Sequence, residues 1–183
     1  MPGNKIQEET AMSQQITKEN YIDASYDVFK KFHQQLGILT CGDFDDFRCM
    51  TIGWGMMGNV WGHPGSAITV YVHPSRYTFS HMMDKEYFTV CFLPEERRGD
   101  AITLGTHSGR NGDKIALTGL TPKRLEHGVG FEEAELTLVC RKLCAQQFDI
   151  QAVPDFVRNG IYSKLEPHYF FIGAIEDAFG TVK

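Results

Sequence analysis

Hydroxyl groups, cations and glycines are concentrated in three short stretches of the sequence, MTIGWG (50–55), HPSRYT (73–78) and GTHSGRNGDK (105–114). In the second stretch, Ser75, Arg76 and Thr78 lie where a strand-like run gives way to a helix-like run. Hydroxyl groups, a guanidinium and free backbone N–H groups at such a junction are able to converge on one anion, which is typical of phosphate binding. The alternative interpretation is that Ser75 only caps the helix and that Arg76 is a solvated surface cation.

The third stretch adds hydroxyl and cationic side chains around two glycines, namely Thr106, Ser108, Arg110, Asn111 and Lys114. Taken alone, it is best interpreted as a polar surface loop with a turn at Asn-Gly-Asp. The two stretches together favour a phosphate site more strongly than either does alone.

Gly53, Gly55 and Gly58 have the G-x-G-x-x-G spacing of a dinucleotide-binding turn. That turn requires a helix directly after the glycines and an acidic residue roughly 20 positions further on. Here two more glycines and a proline follow, and the later region offers His73 and Arg76 instead of an acid. We therefore reject a dinucleotide-binding turn, but we expect so many glycines beside a strand to let a flat or phosphorylated molecule approach the backbone closely.

The composition and charge of the chain exclude several classes of protein. Its 183 residues are 42% hydrophobic and 22% charged, as expected for one globular domain. No apolar run is long enough to cross a bilayer and no secretory signal is present, so we expect a soluble cytoplasmic protein. A net charge of −5 and scattered basic residues argue against nucleic acid as a partner. The polar N-terminus predicts a flexible arm over 1–20, followed by a single domain over 21–183.

The five cysteines and seven histidines do not have the spacing of a metal site or a redox pair. There is no C-x-x-C and no H-E-x-x-H, so we predict buried free thiols and no metal. G-x-S-x-G is also absent, which leaves no basis for serine hydrolase chemistry.

Strand-like runs dominate the elements that must position these residues. We predict strands, each rich in β-branched or aromatic residues and bounded by turn residues, at 36–42, 49–54, 67–72, 87–93, 130–148 (bent) and 168–179. Short helices are predicted at 26–35, 77–86, 95–108 and 154–165. Six strands with short helices packed outside favour a closed antiparallel barrel, which leaves no sheet edge exposed.

The order of five segments resembles the flavin reductase-like family, in particular its flavoredoxin-type members: MTIGWG, VHPSRYT, YFTVCF, LGTHSGRNGDK and FEEAELTLVCRKL. The resemblance runs from about residue 29 to residue 173, and the paired PSRYT and SGRNGDK segments are specific to that family. One departure is His73, where many relatives have arginine, so one cationic contact becomes weaker and dependent on pH. The resemblance implies a mainly β protein, a six-stranded antiparallel Greek-key split barrel that forms a homodimer with one FMN in each cleft between subunits.

The resemblance also implies which residues hold the flavin. The backbone of TIGWG would lie along the edge of the isoalloxazine ring, PSRYT would hold the phosphate, and SGRNGDK would complete the site. Lys114 would place a positive charge near ring positions N1 and O2, which favours the anionic reduced flavin. The implied cofactor-binding residues are Thr51, Ile52, Gly53, Trp54, Gly55, Ser75, Arg76, Tyr77, Thr78, Ser108, Gly109, Arg110 and Lys114.

The implied function is that of an FMN-dependent oxidoreductase, which accepts hydride from NADH or NADPH and passes electrons to flavin, a protein partner or another small molecule. Because the flavin carries the chemistry, no catalytic residue is expected of the chain itself. One alternative is an FMN-binding electron carrier that is not an enzyme and that a partner reduces. Another is a split-barrel protein that binds haem or a different planar ligand.

A homodimer is also favoured by large apolar residues in the glycine-rich segment 51–65, which one small barrel could hardly bury alone: Trp54, Met56, Met57, Val60 and Trp61. Aromatic residues and methionine are enriched at interfaces between proteins. The alternative is that the two tryptophans fill one end of the barrel.

Overall fold

Strands dominate the computed structural model, which describes residues 13–62 and 66–182. The strands are β1 (Gln14–Ile16), β2 (Gly37–Asp43), β3 (Asp46–Ile52), β4 (Gly55–Asn59), β5 (Ser66–Val72), β6 (Tyr87–Phe92), β7 (Pro122–Arg124), β8 (Val129–Phe131), β9 (Leu136–Gln147) and β10 (Tyr169–Val182). The helices are α1 (Val28–Lys30), α2 (Phe79–Asp84), α3 (Arg98–Thr106) and α4 (Asp155–Asn159). A π-helical turn covers Lys31–Gln35, and 3₁₀ turns cover Tyr21–Asp23, Glu95–Arg97, Gly109–Asn111, Ile115–Leu117 and Ile161–Ser163.

One antiparallel sheet curls into a barrel. Its strand order is β3-β2-β6-β9-β10-β5-β4, with β1 paired to β10, while β7 and β8 form a separate hairpin. Strands β3 and β4 stand at opposite ends of this order, yet only Gly53 and Trp54 connect them. Two residues span no more than roughly 11 Å, so the sheet must curl until its two edges meet. This mainly β split barrel with short peripheral helices confirms the fold class predicted from the sequence.

The barrel interior holds the larger apolar cluster, because alternate residues of a strand point to the same face of the sheet. Val70 and Val72 of β5 belong to this cluster and are fully buried. Strands β2 and β6 are apolar on their outer face too, where Ile38 and Cys91 pack in a second cluster with Leu104 of α3. Burial on both faces explains why these strands are continuous apolar runs in the sequence.

The structure corrects several element predictions. The bent strand predicted at 130–148 is two strands in different sheets, β8 and β9, separated by a turn in which the Ala134 N–H donates to the Phe131 carbonyl oxygen. Strand β4 was not predicted, and the large sheet has eight strands instead of six. The helix predicted at 154–165 is broken at Gly160 into α4 and a 3₁₀ turn.

The predicted flexible arm over 1–20 is wrong for its last part. Gln14 to Ile16 pair with β10, with Gln14 opposite Val182, and the Ile16 side chain is fully buried in the barrel core. An apolar side chain that fits the core offsets the entropy cost of ordering this segment.

Residues 1–12 lie outside the described part of the chain. Across residues 13–62 and 66–182, no helix is both long enough and apolar enough to span a membrane.

Rejection of the dinucleotide-binding turn is confirmed, because strand β4 and not a helix begins at Gly55. Of the three glycines of the motif, Gly55 is the one whose neighbours leave no room for a side chain. A Cβ atom built there would lie 2.1 Å from the ring of Phe32, whereas one at Gly58 would meet nothing within 4 Å. The glycine therefore lets the Phe32 ring pack against the backbone of β4.

Candidate cofactor site

A pocket of about 230 Å³ lies where β3, the turn from β5 into α2, the end of α3 and the following loop meet. Apart from Cys49, Met50 and residues 104–107, its lining consists of residues that the sequence predicted: Thr51, Ser75, Arg76, Tyr77, Thr78, Ser108, Gly109, Arg110 and Lys114. The HPSRYT and GTHSGRNGDK stretches therefore do lie side by side. The four residues Ile52, Gly53, Trp54 and Gly55 do not line this pocket.

His73 shapes the turn that presents Ser75 to the pocket. Its Nδ1 atom accepts the backbone N–H of Ser75 at 3.1 Å, and the Ser75 hydroxyl oxygen lies 2.7 Å from the same nitrogen. A ring nitrogen that accepts a hydrogen bond carries no proton. Here His73 Nδ1 acts as an acceptor that orients Ser75.

Thr78 fastens this turn to strand β3. Its side chain is 1% exposed, and its hydroxyl donates to the carbonyl oxygen of Cys49 at 3.1 Å. The single hydroxyl proton of a threonine is thereby used within the protein. Of the hydroxyl groups predicted to hold a phosphate, that of Ser75 is more accessible, since Ser75 is exposed.

Tyr77 joins the two loops through its ring. The guanidinium of Arg48 lies 3.9 Å from the ring centroid, and that of Arg110 lies 5.2 Å from it. A Cβ atom at Gly109 would come within 3.0 Å of the ring, so this glycine lets the second loop pack on Tyr77. Arg48 also donates to the Tyr77 carbonyl oxygen at 2.7 Å. Sequence reasoning missed Arg48, because no local pattern connects it with a turn 29 residues later.

The 3₁₀ turn at Gly109–Asn111 positions the second group of polar residues. The Ser108 hydroxyl oxygen accepts the backbone N–H of Arg110 at 3.3 Å, which caps this turn. The Arg110 side chain then crosses to the first loop, where it donates to the carbonyl oxygen of Ser75 at 3.1 Å. This bond leaves other guanidinium N–H groups of Arg110 for a ligand.

Lys114 is buried, with 8% of its surface exposed. Its ammonium group donates to the carbonyl oxygen of Leu104 at 2.6 Å, near the end of α3. Burial lowers the pKa of this lysine, and the nearby charge of Arg76 lowers it further, while Cys49 acts in the opposite direction. An ammonium group has three donors, so Lys114 keeps donors for an anion in the pocket.

The charge of the pocket fits a phosphate group. Arg76, Arg110 and Lys114 line it without any aspartate or glutamate, although the chain as a whole carries a net charge of −5. The Arg76 side chain makes no hydrogen bond or ion pair with any residue in the described part of the chain, and it is exposed. The volume falls below the roughly 300–1,000 Å³ of complete small-molecule sites, so the pocket suits a phosphate-sized anion and not a whole cofactor.

The TIGWG segment is divided between the core and the surface. Ile52 is buried in the barrel, Gly53 and Trp54 form the exposed connection between β3 and β4, and Gly55 packs on Phe32. Thr51 lines the pocket, and its hydroxyl donates to the Ala101 carbonyl oxygen of α3. The segment therefore runs away from the phosphate-sized pocket toward the surface around Trp54.

His168 lies beside both Trp54 and His73, with ring centroids 4.9 and 5.0 Å apart. Burial lowers its pKa from 6.5 to about 4, and His73 and Arg76 contribute to this shift. The imidazole is therefore neutral at pH 7. Sequence reasoning missed His168 because a single histidine at the start of a strand has no distinctive spacing.

Buried thiols are confirmed for four of the five cysteines, and all five are free. Burial raises the pKa of Cys49, which lines the pocket, to about 11, so its thiol is protonated at neutral pH. Among residues 13–62 and 66–182, no group of three or more histidine, cysteine, aspartate or glutamate side chains is arranged to hold a metal ion.

Comparison with known proteins agrees with the fold. Similar solved structures include a flavoredoxin from Methanosarcina acetivorans (TM-score 0.61, 21% identity, 86% of this chain and 74% of that chain). Two others are an FMN-binding protein from Thermus thermophilus with bound 1-cyclohex-2-enone (0.62, 16%, 86% and 76%) and a Streptomyces globisporus NADH:FAD oxidoreductase in complex with NAD and FAD fragments (0.58, 15%, 79% and 73%). No curated protein matches the chain. The model of the flavin reductase like domain matches residues 29–180, and the chain therefore belongs to the flavin reductase-like family.

Proposed function

We propose that this protein is an FMN-dependent oxidoreductase that accepts hydride from NADH or NADPH and passes electrons to free flavin, a protein partner or another small acceptor. The observation that carries the proposal is the pocket lined by Arg76, Arg110 and Lys114 without a carboxylate. Its place in a flavin reductase-like domain supports a flavin phosphate as the anion. Bound FMN supplies hydride and electron transfer.

The side chains of this pocket act by binding and orienting the phosphate end of the cofactor. Arg76 is free to form charge-assisted hydrogen bonds with phosphate oxygens, and Arg110 presents its remaining N–H groups from the opposite loop. The Ser75 hydroxyl would be available to donate to a phosphate oxygen, while its backbone N–H is bonded to His73. Lys114 lines the same pocket and adds a buried positive charge there, so we assign it to the phosphate and not to ring positions N1 and O2, which the resemblance implied.

The assignment of NADH or NADPH as the electron donor rests on the family and on neighbouring structures. One neighbour is described as an NADH:FAD oxidoreductase and was solved with NAD and FAD fragments, and another is described as an FMN-binding protein.

We assign FMN in preference to haem because three cations and the Ser75 hydroxyl suit a phosphate monoester. The five free thiols fit the reducing cytoplasm that the sequence predicts.

We further propose that the working unit is a homodimer that completes the flavin site. The pocket is too small for all of FMN. The residues around β4 expose a large apolar surface, with Trp54, Met56 and Trp61 exposed by 46%, 57% and 67%. Aromatic residues and methionine are enriched at interfaces. A second copy placed on this surface would cover both the apolar residues and the flavin ring.

Absorption spectroscopy followed by steady-state kinetics tests the function. Protein reconstituted with FMN should show a flavin spectrum and should oxidise NADH or NADPH continuously when free flavin is supplied as acceptor. A flavin spectrum without steady oxidation of either nucleotide would overturn the enzyme assignment in favour of an electron carrier. A haem spectrum, or failure to bind FMN, would overturn the cofactor assignment.

A further inference from the structure

Trp54 lines an apolar cavity of about 300 Å³, which shares no lining residue with the phosphate-sized pocket. Four aromatic side chains line it, those of Trp54, Tyr71, Phe148 and Tyr162, and the rest of the lining is aliphatic. The rings of Tyr71 and Phe148 are stacked, with centroids 5.6 Å apart and planes within 8°. Parallel rings provide flat walls for a third ring.

A dedicated chain segment builds one wall of this cavity. Antiparallel neighbours such as β9 and β10 need only about two to five residues to join them, but here residues 148–168 intervene. This segment contributes Val157 from α4 and Ile161 and Tyr162 from the next 3₁₀ turn. Gly160 permits the sharp change of direction between them, since a Cβ atom there would lie 2.6 Å from the Phe156 carbonyl oxygen.

We propose that this cavity is a binding site for a neutral, planar aromatic molecule of one or two rings. The size matches the lower end of the roughly 300–1,000 Å³ range of small-molecule sites, which excludes a complete dinucleotide. No charged residue lines the cavity. A charged group that entered would lose its hydration without gaining a partner, so the site selects against ionised ligands. The inference goes beyond the proposed function, because binding here requires no flavin.

Titration by fluorine NMR tests the site with para-fluoroacetophenone as a neutral probe and para-fluorobenzoate as its charged counterpart. The neutral probe should bind saturably with a dissociation constant of about 1 mM or lower, as expected of a well-buried single ring. The benzoate should bind at least about tenfold more weakly. The result should be the same with and without FMN, which separates this test from the test of the flavin site.

Two neighbouring residues of α4 provide a matched pair of variants. Val157 lines the cavity, whereas Phe156 is 80% exposed and does not line it. Val157→Glu should raise the dissociation constant of the neutral probe at least about tenfold, and Phe156→Glu should change it less than about twofold. If Val157→Glu does not fold, Ile161→Glu takes its place, since Ile161 lines the cavity and is 44% exposed.

The proposal would be overturned by the absence of saturable binding, by equal affinity for the neutral and charged probes, or by equal effects of the lining and exposed variants. Loss of probe binding as the protein concentration rises through the range of self-association would also overturn it, because a second copy of the chain would then be the occupant.

Discussion

Arg110 donates a hydrogen bond to the carbonyl oxygen of Ser75, with 3.1 Å between Nη1 and the oxygen. The two residues belong to loops that are 35 positions apart in the sequence, and the ring of Tyr77 packs against the same guanidinium. The bond therefore makes one pocket from two loops. It also orients the cationic face of the pocket, because it occupies one edge of the Arg110 guanidinium and leaves the others for an anion.

The first prediction concerns Arg76, the cation on the loop opposite Arg110. Charge-assisted hydrogen bonds contribute about 1.5–3 kcal/mol each, so Arg76→Ala should weaken FMN binding by roughly one to two powers of ten. Riboflavin binding should hardly change, because riboflavin has no phosphate. Fluorescence titration of both flavins measures this, with Arg124→Ala as the control, since Arg124 pairs with Asp45 outside the pocket. Equal affinity of the unaltered protein for riboflavin and FMN would rule out the phosphate role.

The next prediction uses two glycines of the same strand. Gly55→Ala forces a Cβ atom into the ring of Phe32 and should lower the free energy of unfolding by about 1–3 kcal/mol. Gly58→Ala meets open space and should change it by less than about 0.5 kcal/mol. Urea unfolding of both variants provides the measurement, and adding Phe32→Leu to Gly55→Ala should restore part of the loss. Similar destabilisation by the two alanine variants would contradict the packing argument.

Contacts of this kind mark the limit of what the sequence predicts. The PSRYT and SGRNGDK stretches were predictable because hydroxyls and cations cluster locally, and the barrel was predictable because β2 and β6 are continuous apolar runs. The packing of Gly55 on Phe32 and of Arg48 on Tyr77 was not, since each joins residues from separate elements. Strand β4 was missed for the same reason. Its residues GMMGN have weak strand propensity, and pairing with β5 determines their conformation.

A third prediction follows from the lowered pKa of His168. The unfolded chain takes up a proton near pH 6.5, but the folded chain takes it up only near pH 4, so stability is complete above pH 6.5 and is lost as the pH falls toward 4. The full shift corresponds to roughly 3 kcal/mol, which solvent screening of this half-buried ring reduces to about 1 kcal/mol. When urea unfolding is measured at pH 6.5 and at pH 4, the free energy of unfolding should fall less for His168→Gln than for the unaltered chain. His33→Gln, at an exposed histidine, is the control, and an identical loss in all three proteins would contradict the prediction.

The fourth prediction is that no cysteine takes part in turnover. Cys49 is the most stringent test because it lines the pocket, and its buried thiol, with a pKa of about 11, is not a nucleophile at neutral pH. Cys49→Ala should lower stability through lost packing but should keep the rate of NAD(P)H oxidation per bound FMN within about twofold. Loss of that rate in a folded variant with full FMN occupancy would reveal a thiol mechanism.

The last prediction links assembly to cofactor binding through Trp61. This residue is 67% exposed just beyond β4, an end strand of the large sheet, and Met56 on β4 itself is 57% exposed. A homodimer that covers this surface would bury an apolar interface that commonly exceeds roughly 2,000 Å². Because a ligand that touches both chains stabilises only the associated state, FMN binding and dimerisation should rise and fall together. Trp61→Glu should therefore yield a monomer and lose FMN, whereas Leu117→Glu, at a residue 59% exposed on a different turn, should do neither. Gel filtration with light scattering for mass and flavin absorbance for bound FMN measures both properties in one run. A monomer that carries stoichiometric FMN at micromolar concentration would contradict the proposed interface.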